Sequence, residues 1–428
     1  RILSSAASDV YKRQLYMWRH FYKIIIPKIT FGTVYYLEAL FTYALIKLKG
    51  STPNKRLRNR SNINFLKDRL AKNESKRLAI FVGYHNSNKI PESNLNYLNI
   101  LKKTHFEIIY VHNGHLDQNI KNFLTEMGCY VICRDNVGQD IGAYKDVMLL
   151  IENYNLTDNL KWLLICNDSN FCLGGINSEK FVNRFSNLLN KEIHDKPDFI
   201  SLNCNFDRIL HHQSYFLCFS SIVFKSKKFK NFWEKYVPLN HRYHAIENGE
   251  IKLTKKVLSS FKPKIMFTSH ELFSSLKHNL KDQKYLVGNL PKVLFYLSLS
   301  YEDSEKIQYD TKTIVDSLEN YNPSHVFGLL NILFMNYPFL KKDVVRQGTY
   351  SFSQVFDVLQ TESLLLKEDL VNEIMDSLLR GGTSYSYRRL PKQAFQKSIT
   401  PEGTTYDYHY ISLLLRMKSF WQTPKKNL

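Results

Sequence analysis

A first polar cluster, residues 134–144, combines residue types that bind phosphate and sugar groups. Among its residues are Arg134, Asn136, Gly138, Asp140 and Gly142. Glycines let a ligand approach the backbone closely, and the free N–H groups of a helix N-terminus bind phosphate. The Arg134 guanidinium would make a charge-assisted contact, and the Asp140 carboxylate would accept a hydrogen bond from a sugar hydroxyl. The same pattern also fits an ordinary Asn/Gly turn in which Asp140 lies near a helix N-cap.

A second cluster, Asn167-Asp168-Ser169-Asn170, directly follows the apolar run 162–166. Oxygen and amide groups of this kind suit a hard divalent cation that is shared with a diphosphate. Most metal sites use two carboxylates, whereas this cluster contains only Asp168. The alternative is an Asx-turn that ends a strand.

A third cluster, 211–216, leads into the apolar run 215–219. The imidazole of His212, the amide of Gln213 and the hydroxyl of Ser214 are suited to orient a sugar or its phosphate. A pair of histidines is more often structural or exposed, so that alternative stays open.

Two acidic residues, Glu247 and Glu250, precede the apolar-periodic stretch 251–258. A carboxylate at a helix start beside a sheet edge can act as a general base. Acidic residues also favour helix N-termini because of the helix dipole, which gives a purely structural alternative.

An alternation of short apolar runs and amphipathic stretches, starting near residue 78, predicts the elements that must position these clusters. The predicted strands are 78–82, 107–111, 130–133, 162–166, 199–203 and 215–219. The predicted helices among them are 91–103, 117–127 and 141–153. This order predicts an α/β fold with a mostly parallel, Rossmann-type sheet and flanking helices. Ligands of such sheets bind at the carboxyl ends of the strands, where the polar clusters fall.

The charge of the chain is concentrated near its two ends. Residues 15–74 hold 12 basic and 3 acidic residues, and residues 380–428 hold 9 basic and 2 acidic residues. The stretch 75–379 is close to neutral, with 35 basic and 33 acidic residues. This pattern indicates an anionic surface as a partner, with membrane headgroups and nucleic acid as the two alternatives. A composition of 44% hydrophobic and 23% charged residues excludes wholesale disorder.

Six cysteines lie mostly inside apolar runs, and they contain no Cys-x-x-Cys pair. This favours buried free thiols over a disulfide framework, and it gives no support to a zinc site. The cysteines are Cys129, Cys133, Cys166, Cys172, Cys204 and Cys218.

Taken together and in this order, the clusters resemble the rhamnan synthesis protein F family, a group of bacterial polysaccharide glycosyltransferases. The matching segments are Asn136-x-Gly138-x-Asp140-x-Gly142-Ala143-Tyr144-Lys145, Asn167-Asp168-Ser169, His212-x-Ser214-Tyr215-Phe216, Phe232-Trp233, Glu250-Ile251-Lys252-Leu253-Thr254, Asn322-Pro323-Ser324-His325 and Pro338-Phe339-Leu340-Lys341-Lys342. No single segment is specific, but their common order over residues 78–346 is. One departure is Leu173-Gly174-Gly175, which stands where the family usually has Gly-Pro.

The resemblance implies a GT-A type glycosyltransferase that binds a nucleotide-sugar on a Rossmann-like sheet. It implies donor contacts from Arg134, Asn136, Gly138, Asp140, Asn167, Ser169, His212, Gln213 and Ser214. It also implies that Asp168 and Asn170 hold a divalent cation, Mg²⁺ or Mn²⁺, at the place of the usual Asp-x-Asp motif. Asn170 brings a carbonyl oxygen but no charge to that motif, which leaves metal dependence open. Glu250 falls near the base of inverting enzymes, so Glu250 and Asp168 are the expected catalytic residues.

Five segments are expected along the chain. Residues 1–14 resemble a translated sequencing-adapter remnant and are left out of the fold. A basic amphipathic N-terminal segment (15–74) precedes a GT-A-like catalytic domain (75–262). A helical completion of that domain (263–350) and a helical, basic C-terminal extension (351–428) follow. Within the first basic segment, residues 31–49 are expected to form a helix, either on a membrane surface or on the protein's own core.

The expected activity is the transfer of a sugar, with deoxythymidine diphosphate rhamnose as the favoured donor, to a growing lipid-linked polysaccharide by inverting displacement. The expected location is the inner face of the bacterial plasma membrane, where anionic lipids and other polysaccharide-assembly proteins are further partners. A non-catalytic scaffold that binds nucleotide-sugars is one alternative. A nucleic-acid-binding protein is the other, but the basic residues are terminal and no nucleic-acid-binding motif occurs.

Overall fold

A computed structural model describes residues 56–58, 62–85, 89–192, 196–205, 209–240, 242–280, 322–347, 352–359, 364 and 366–381. All of them belong to one compact unit.

Four parallel strands form the centre of this unit. They are β2 (Arg77–Gly83), β3 (Glu107–Asn113), β4 (Tyr130–Arg134) and β5 (Trp162–Asn167), and they lie side by side in the order β4-β3-β2-β5. Nearly all of their residues are buried. Parallel strands covered on both faces read as continuous apolar runs, which is why the sequence predicts these four so directly.

Further strands extend this sheet at both ends. Strand β10 (Phe216–Ser220) lies antiparallel between β5 and β7 (Phe199–Ser201), and β11 (Pro263–Ile265) lies parallel to β7. At the other edge, β1 (Leu57–Arg58) pairs antiparallel with β4. The result is an eight-stranded, mostly parallel sheet in an α/β fold, which confirms the expected fold class.

Helices cover both faces of the sheet. Those that connect or precede the central strands are α1 (Ile63–Lys72), α2 (Glu92–Lys103), α3 (Gln118–Glu126), α4 (Gln139–Asn153) and α5 (Gly175–Leu189). The next ones are α6 (Ser221–Phe224), α7 (Lys227–Lys235), α8 (Arg242–His244), a π-helical turn (Ala245–Ile251), α9 (Lys252–Lys256), a 3-10 turn (Leu258–Ser260) and α10 (Ser269–Leu280). The last ones are α11 (Pro323–Val326), α12 (Gly328–Met335), α13 (Lys342–Gln347), α14 (Phe352–Leu359) and α15 (Glu368–Gly381).

The alternation of side chains along the strands divides the hydrophobic core in two. In β2, Ala79 and Phe81 join the core on one face, whereas Leu78, Ile80 and Val82 join the core on the other. The first core also contains residues of α2, α5 and the later helices, and the second contains residues of α1, α4 and α7.

Two short ladders lie beside the main sheet. Strand β6 (Asn170–Cys172) pairs antiparallel with β12 (Phe339–Lys341), and Lys341 lies opposite Asn170. Strand β8 (Cys204–Asn205) pairs antiparallel with β9 (His211–His212). The first ladder joins a segment from late in the chain to the second polar cluster.

The predicted strands and helices of the central sheet are all present, with bounds shifted by one or two residues at most ends. One helix was missed, and one prediction needs correction. Helix α5 was not predicted, because its polar N-terminal half masks the apolar face that packs on the sheet. Glu250 lies inside the π-helical turn, rather than just before a regular helix.

The six cysteines are free, and all but the partly buried Cys204 are buried, as expected. The expected helix at 31–49 and the basic residues beyond 381 lie outside the described residues. Within the ranges given above, no helix is long and apolar enough to span a membrane.

Candidate active site

The carboxyl ends of β2 and β5, two neighbouring parallel strands, fix the position of Asp168. The Asp168 backbone N–H donates to the Val82 carbonyl at 3.0 Å, and the Asp168 carboxylate accepts from the Tyr84 backbone N–H at 3.0 Å. Asn167 Oδ1 accepts from the Ser169 backbone N–H at 3.0 Å, which makes an Asx-turn. The turn therefore exists and holds Asp168 at the edge of the sheet where ligands bind.

Asp140 joins the first polar cluster to the second. It lies in the first turn of α4, and its Oδ2 accepts from Asn167 Nδ2 at 2.8 Å. Burial, together with the neighbouring Asp168 carboxylate, raises the pKa of Asp140 to about 7. Asp140 can therefore exchange a proton near neutral pH.

Glycines in the first cluster are required by close packing within the protein. Gly138 has φ +76°, and a Cβ there would lie 2.4 Å from Pro238 Cβ. A Cβ on Gly142 would lie 2.1 Å from the Val137 carbonyl oxygen. The Gly138 N–H donates to Asn240 Oδ1 at 2.6 Å, while Asn136 is exposed. The loop therefore packs tightly against Pro238 and Asn240, whereas the Asn136 side chain is exposed.

Arg134 stabilises this loop through hydrogen bonds within the protein interior. The side chain is buried, and its guanidinium donates to Asn113 Oδ1 at 2.6 Å, to the Val137 carbonyl at 2.7 Å and to Asp146 Oδ2 at 2.9 Å. All of its nitrogens have protein acceptors, because Nε also donates to Asp146. We therefore assign Arg134 to the support of the loop, in place of the direct donor contact that the sequence suggested.

Glu250 lies beside the third cluster and accepts hydrogen bonds from it. Its Oε1 accepts from the Ser214 backbone N–H at 2.8 Å and from Ser214 Oγ at 2.7 Å. Its Oε2 lies 3.9 Å from His211 Nε2, and 17% of the Glu250 side chain is exposed. The wider π-helical turn sets Glu250 facing the start of β10. One carboxylate oxygen is fixed and the other lacks a short hydrogen bond from His211, an arrangement that suits proton transfer.

His212 has a structural environment. Its Nδ1 lies 2.9 Å from Ser201 Oγ, and its backbone N–H donates to Thr254 Oγ1 at 3.0 Å. Burial, aided by the neighbouring His211, lowers the pKa of His212 to about 4, so the ring is neutral at physiological pH. Gln213 is also buried, and its Oε1 has no hydrogen-bond partner among the described residues. We assign His212 to the support of β9 and keep Gln213 as a candidate contact.

Two lysines, Lys341 and Lys342, reach this site from the end of β12. Lys341 Nζ donates to Ser169 Oγ at 2.9 Å and lies 4.3 Å from the centre of the Tyr215 ring. Lys342 Nζ lies 3.9 Å from Asp168 Oδ2, and its backbone N–H donates to the Ser169 carbonyl. In the sequence, both lysines stand out only as part of a segment that resembles the family. The sequence does contain a Lys-Lys pair directly after an apolar run, but no local pattern predicts that this run pairs with β6.

An exposed aromatic ring, Tyr84, was also missed. The side chain is 53% exposed at the end of β2, and its ring lies 6.5 Å from that of His112, tilted by 19°. A large exposed ring beside a polar strand end offers a face on which a base or a sugar can stack.

The oxygen groups around Asp168 do not fit a divalent cation. Asp168 is the single carboxylate of the Asn167–Asn170 cluster, and the neighbouring Asp140 carboxylate already accepts from Asn167. One oxygen of Asp168 accepts from Tyr84, and an ammonium group lies 3.9 Å away. The Ser169 hydroxyl accepts from Lys341, and Asn170 presents a buried Nδ2 donor without a partner in the described part of the chain. No group of three His, Cys, Asp or Glu side chains in that part is arranged to hold a metal ion. A divalent cation normally needs several oxygen ligands and no neighbouring ammonium group.

A family model for rhamnan synthesis protein F matches residues 108–342, more than half of the chain. The chain belongs to the rhamnan synthesis protein F family. This glycosyltransferase-like family match covers Asp140, Asp168, Glu250 and both lysines, and it ends at Lys342.

One curated protein, the uncharacterized protein y4gN of Sinorhizobium fredii (strain NBRC 101917 / NGR234), is 26% identical over 222 residues. The match covers 50% of this chain and 52% of y4gN, so the chain spans about half the length of that relative.

Solved structures of glycosyltransferases show a more distant likeness. One from Desulfovibrio desulfuricans G20, described as a nucleotide-diphospho-sugar transferase, covers 56% of this chain and 97% of its own, at 7% identity and a TM-score of 0.27. The glycosyltransferase GlyE of Streptococcus pneumoniae TIGR4 covers 62% of this chain and 64% of GlyE, at 12% identity and a TM-score of 0.28. The assignment to the rhamnan synthesis protein F family rests on the family match.

Proposed function

We propose that this protein transfers a sugar, with rhamnose favoured, from a nucleoside diphosphate donor to a hydroxyl group of a growing cell-surface polysaccharide. The observation that carries the proposal is the convergence of Asp140, Asp168 and Glu250 at one edge of the sheet, within the span of the family match. Open α/β sheets bind nucleotides at this edge.

The inverting displacement assigns roles to Glu250 and to several groups around it. The Glu250 carboxylate takes the proton of the acceptor hydroxyl, whose oxygen attacks the anomeric carbon while the bond to the diphosphate breaks. Ser214 holds Glu250 through two hydrogen bonds and keeps its second oxygen directed toward the acceptor. Asp140 and Asn167 bind donor hydroxyl groups, and Tyr84 stacks on the nucleobase. Asn136, Ser169 and Gln213 complete the donor contacts, whereas Gly138 shapes the loop, since its N–H already donates to Asn240.

The acceptor in this proposal is a lipid-linked glycan of the bacterial cell wall or O-antigen, at the inner face of the plasma membrane. The basic segments 15–74 and 380–428 support this part, since lysine and arginine clusters bind anionic lipid surfaces. Other polysaccharide-assembly proteins would act on the same glycan, and deoxythymidine diphosphate rhamnose is the first donor to test.

Release of nucleoside diphosphate from a panel of nucleotide-sugars tests the proposal, with the Glu250→Gln variant beside wild type. Glutamine keeps the Oε1 acceptor for Ser214 but cannot take a proton. Turnover of one donor should fall about 10²–10⁴-fold, with donor affinity unchanged. The matched control is Glu247→Gln in the same π-helical turn, which should keep wild-type turnover.

Turnover by Glu250→Gln at the wild-type rate would refute the role of Glu250. Binding of a nucleotide-sugar without any turnover, even with extracted lipid-linked glycan added, would favour the scaffold alternative. Absence of both binding and turnover over the whole panel would refute the proposed function.

A further inference from the structure

Lys341 carries a charge that the described residues leave without a short-range counterion. Its Nζ donates to a neutral hydroxyl, Ser169 Oγ, and packs on the Tyr215 ring, and no carboxylate of the described chain lies within 4 Å. Burial lowers the pKa of the Lys341 ammonium group, and the more distant carboxylates of Asp343, Glu250 and Asp140 offset this only in part. Lys341 is partly buried, and a cation with one neutral hydrogen bond in such a place is stabilised when an anionic ligand approaches it.

Lys342 has spare hydrogen-bonding capacity at the same place. The side chain is 10% exposed, packs near the Phe171 ring and lies 3.9 Å from Asp168 Oδ2, which is too long for a hydrogen bond. By contrast, the neighbouring Arg242 donates to Asp343 Oδ2 at 2.6 Å and is already paired. The two lysines are therefore the cations of this edge that remain available to a ligand.

An unpaired donor lies across the ladder from these lysines. Asn170, opposite Lys341 in the β6–β12 ladder, has a buried Nδ2 with no hydrogen-bond partner in the ranges that the structure describes. Donors of this kind complement an oxyanion, whereas a metal ion would require an acceptor. Two ammonium groups and an amide N–H₂ thus favour a phosphate group over a cation at this point.

From this arrangement we propose that Lys341 and Lys342 bind the diphosphate of the donor and stabilise the leaving group without a divalent cation. The inference rests on the proposed function, because it names the groups that hold the donor at the same site. It replaces the expectation that Asp168 and Asn170 hold Mg²⁺ or Mn²⁺.

The chemical step balances with these groups alone. The acceptor oxygen forms a bond to the anomeric carbon, and its proton passes to the Glu250 carboxylate. The bond between the anomeric carbon and the diphosphate oxygen breaks, and its electron pair stays on that oxygen. The two ammonium groups lie where this negative charge develops, which is the electrostatic contribution that a metal supplies in other transferases.

Binding of inorganic pyrophosphate and of a nucleoside diphosphate panel, measured by calorimetry in EDTA and again with Mg²⁺ or Mn²⁺, tests the inference. Wild type should bind equally well in EDTA. Lys341→Ala and Lys342→Ala should each weaken binding by about tenfold or more, and Lys341→Arg should restore part of the loss. The control is Lys180→Ala, which removes an exposed lysine that donates to Asn336 and should bind like wild type. Thermal unfolding of each variant shows whether the fold is intact.

Loss of binding in EDTA with recovery on addition of Mg²⁺ would overturn the inference. Wild-type affinity in folded lysine variants would also overturn it. Metal-free, lysine-dependent binding of pyrophosphate together with a complete absence of sugar transfer would support the inference and refute the proposed transferase activity, so the two failures are distinguishable.

Discussion

Asp140 is the residue at which pH should act on this protein most directly. Its pKa of about 7 in the folded state exceeds the unfolded value of about 3.9. Between these values the folded protein binds more protons than the unfolded chain, so this group makes the free energy of unfolding fall as pH rises from about 4 to 7. The cost is fully present above pH 7 and absent below pH 4.

Replacing Asp140 by Asn removes this cost while keeping an oxygen for Asn167. The stability of the variant relative to wild type should rise by about 2–3 kcal/mol between pH 5 and pH 8, as measured by urea unfolding at both pH values. Asp158→Asn, at an exposed aspartate, should show no such difference between the two pH values. A constant stability difference from pH 5 to pH 8 would contradict the raised pKa of Asp140.

Residue types alone indicated where the candidate site lies. They did not distinguish the residues that can contact a ligand from the residues that stabilise the site. Arg134 and His212 have the same chemistry as true ligand contacts, yet their burial and hydrogen bonds use them inside the protein. The burial of a side chain depends on neighbours from distant parts of the chain, and hydrophobic periodicity does not predict which neighbours these are. The central strands could be predicted, since runs such as 78–82 are apolar over their whole length.

At the scale of elements, the junction between β4 and α4 depends on the absence of a side chain at position 142. Gly142→Ala would bring a Cβ to 2.1 Å from the Val137 carbonyl oxygen, so the loop must move. We expect a loss of about 2–3 kcal/mol in the free energy of unfolding and weaker donor binding. Asn153→Ala, an exposed change at the other end of the same helix, should leave both nearly unchanged. Unaltered stability and binding in Gly142→Ala would show that the loop adapts freely.

Elements with weak local signals were the ones that the sequence missed. Strands β6 and β12 have three residues each, and their pairing joins positions that are about 170 residues apart. Such a pairing is decided by tertiary contacts, and so the lysines that it delivers could not be placed from sequence alone.

At the scale of the whole molecule, one carboxylate joins the N-terminal edge strand to the central sheet and helix α4. Asp146 is fully buried and accepts hydrogen bonds from the guanidinium groups of Arg56 and Arg134. Asp146→Asn would remove the negative charge that these two buried guanidinium groups share, and it should cost about 3–5 kcal/mol in the free energy of unfolding.

The exposed pair between Arg58 and Asp135 provides the control for this prediction. Both side chains are well exposed, at 67% and 40%, so Asp135→Asn should cost less than about 1 kcal/mol. Chemical denaturation of the two variants under one set of conditions gives the comparison. Equal losses in the two variants would mean that the buried network contributes no more than the surface pair.

The β6–β12 ladder also bears on the order of events during synthesis of the protein. The ribosome releases β2, β5 and Asp168 long before Lys341, and a strand that pairs over such a distance closes late in folding. A nascent chain whose central sheet has formed therefore still lacks Lys341 and Lys342. If the two lysines bind the donor diphosphate as proposed, such a chain would be unable to bind the donor until residue 342 has emerged.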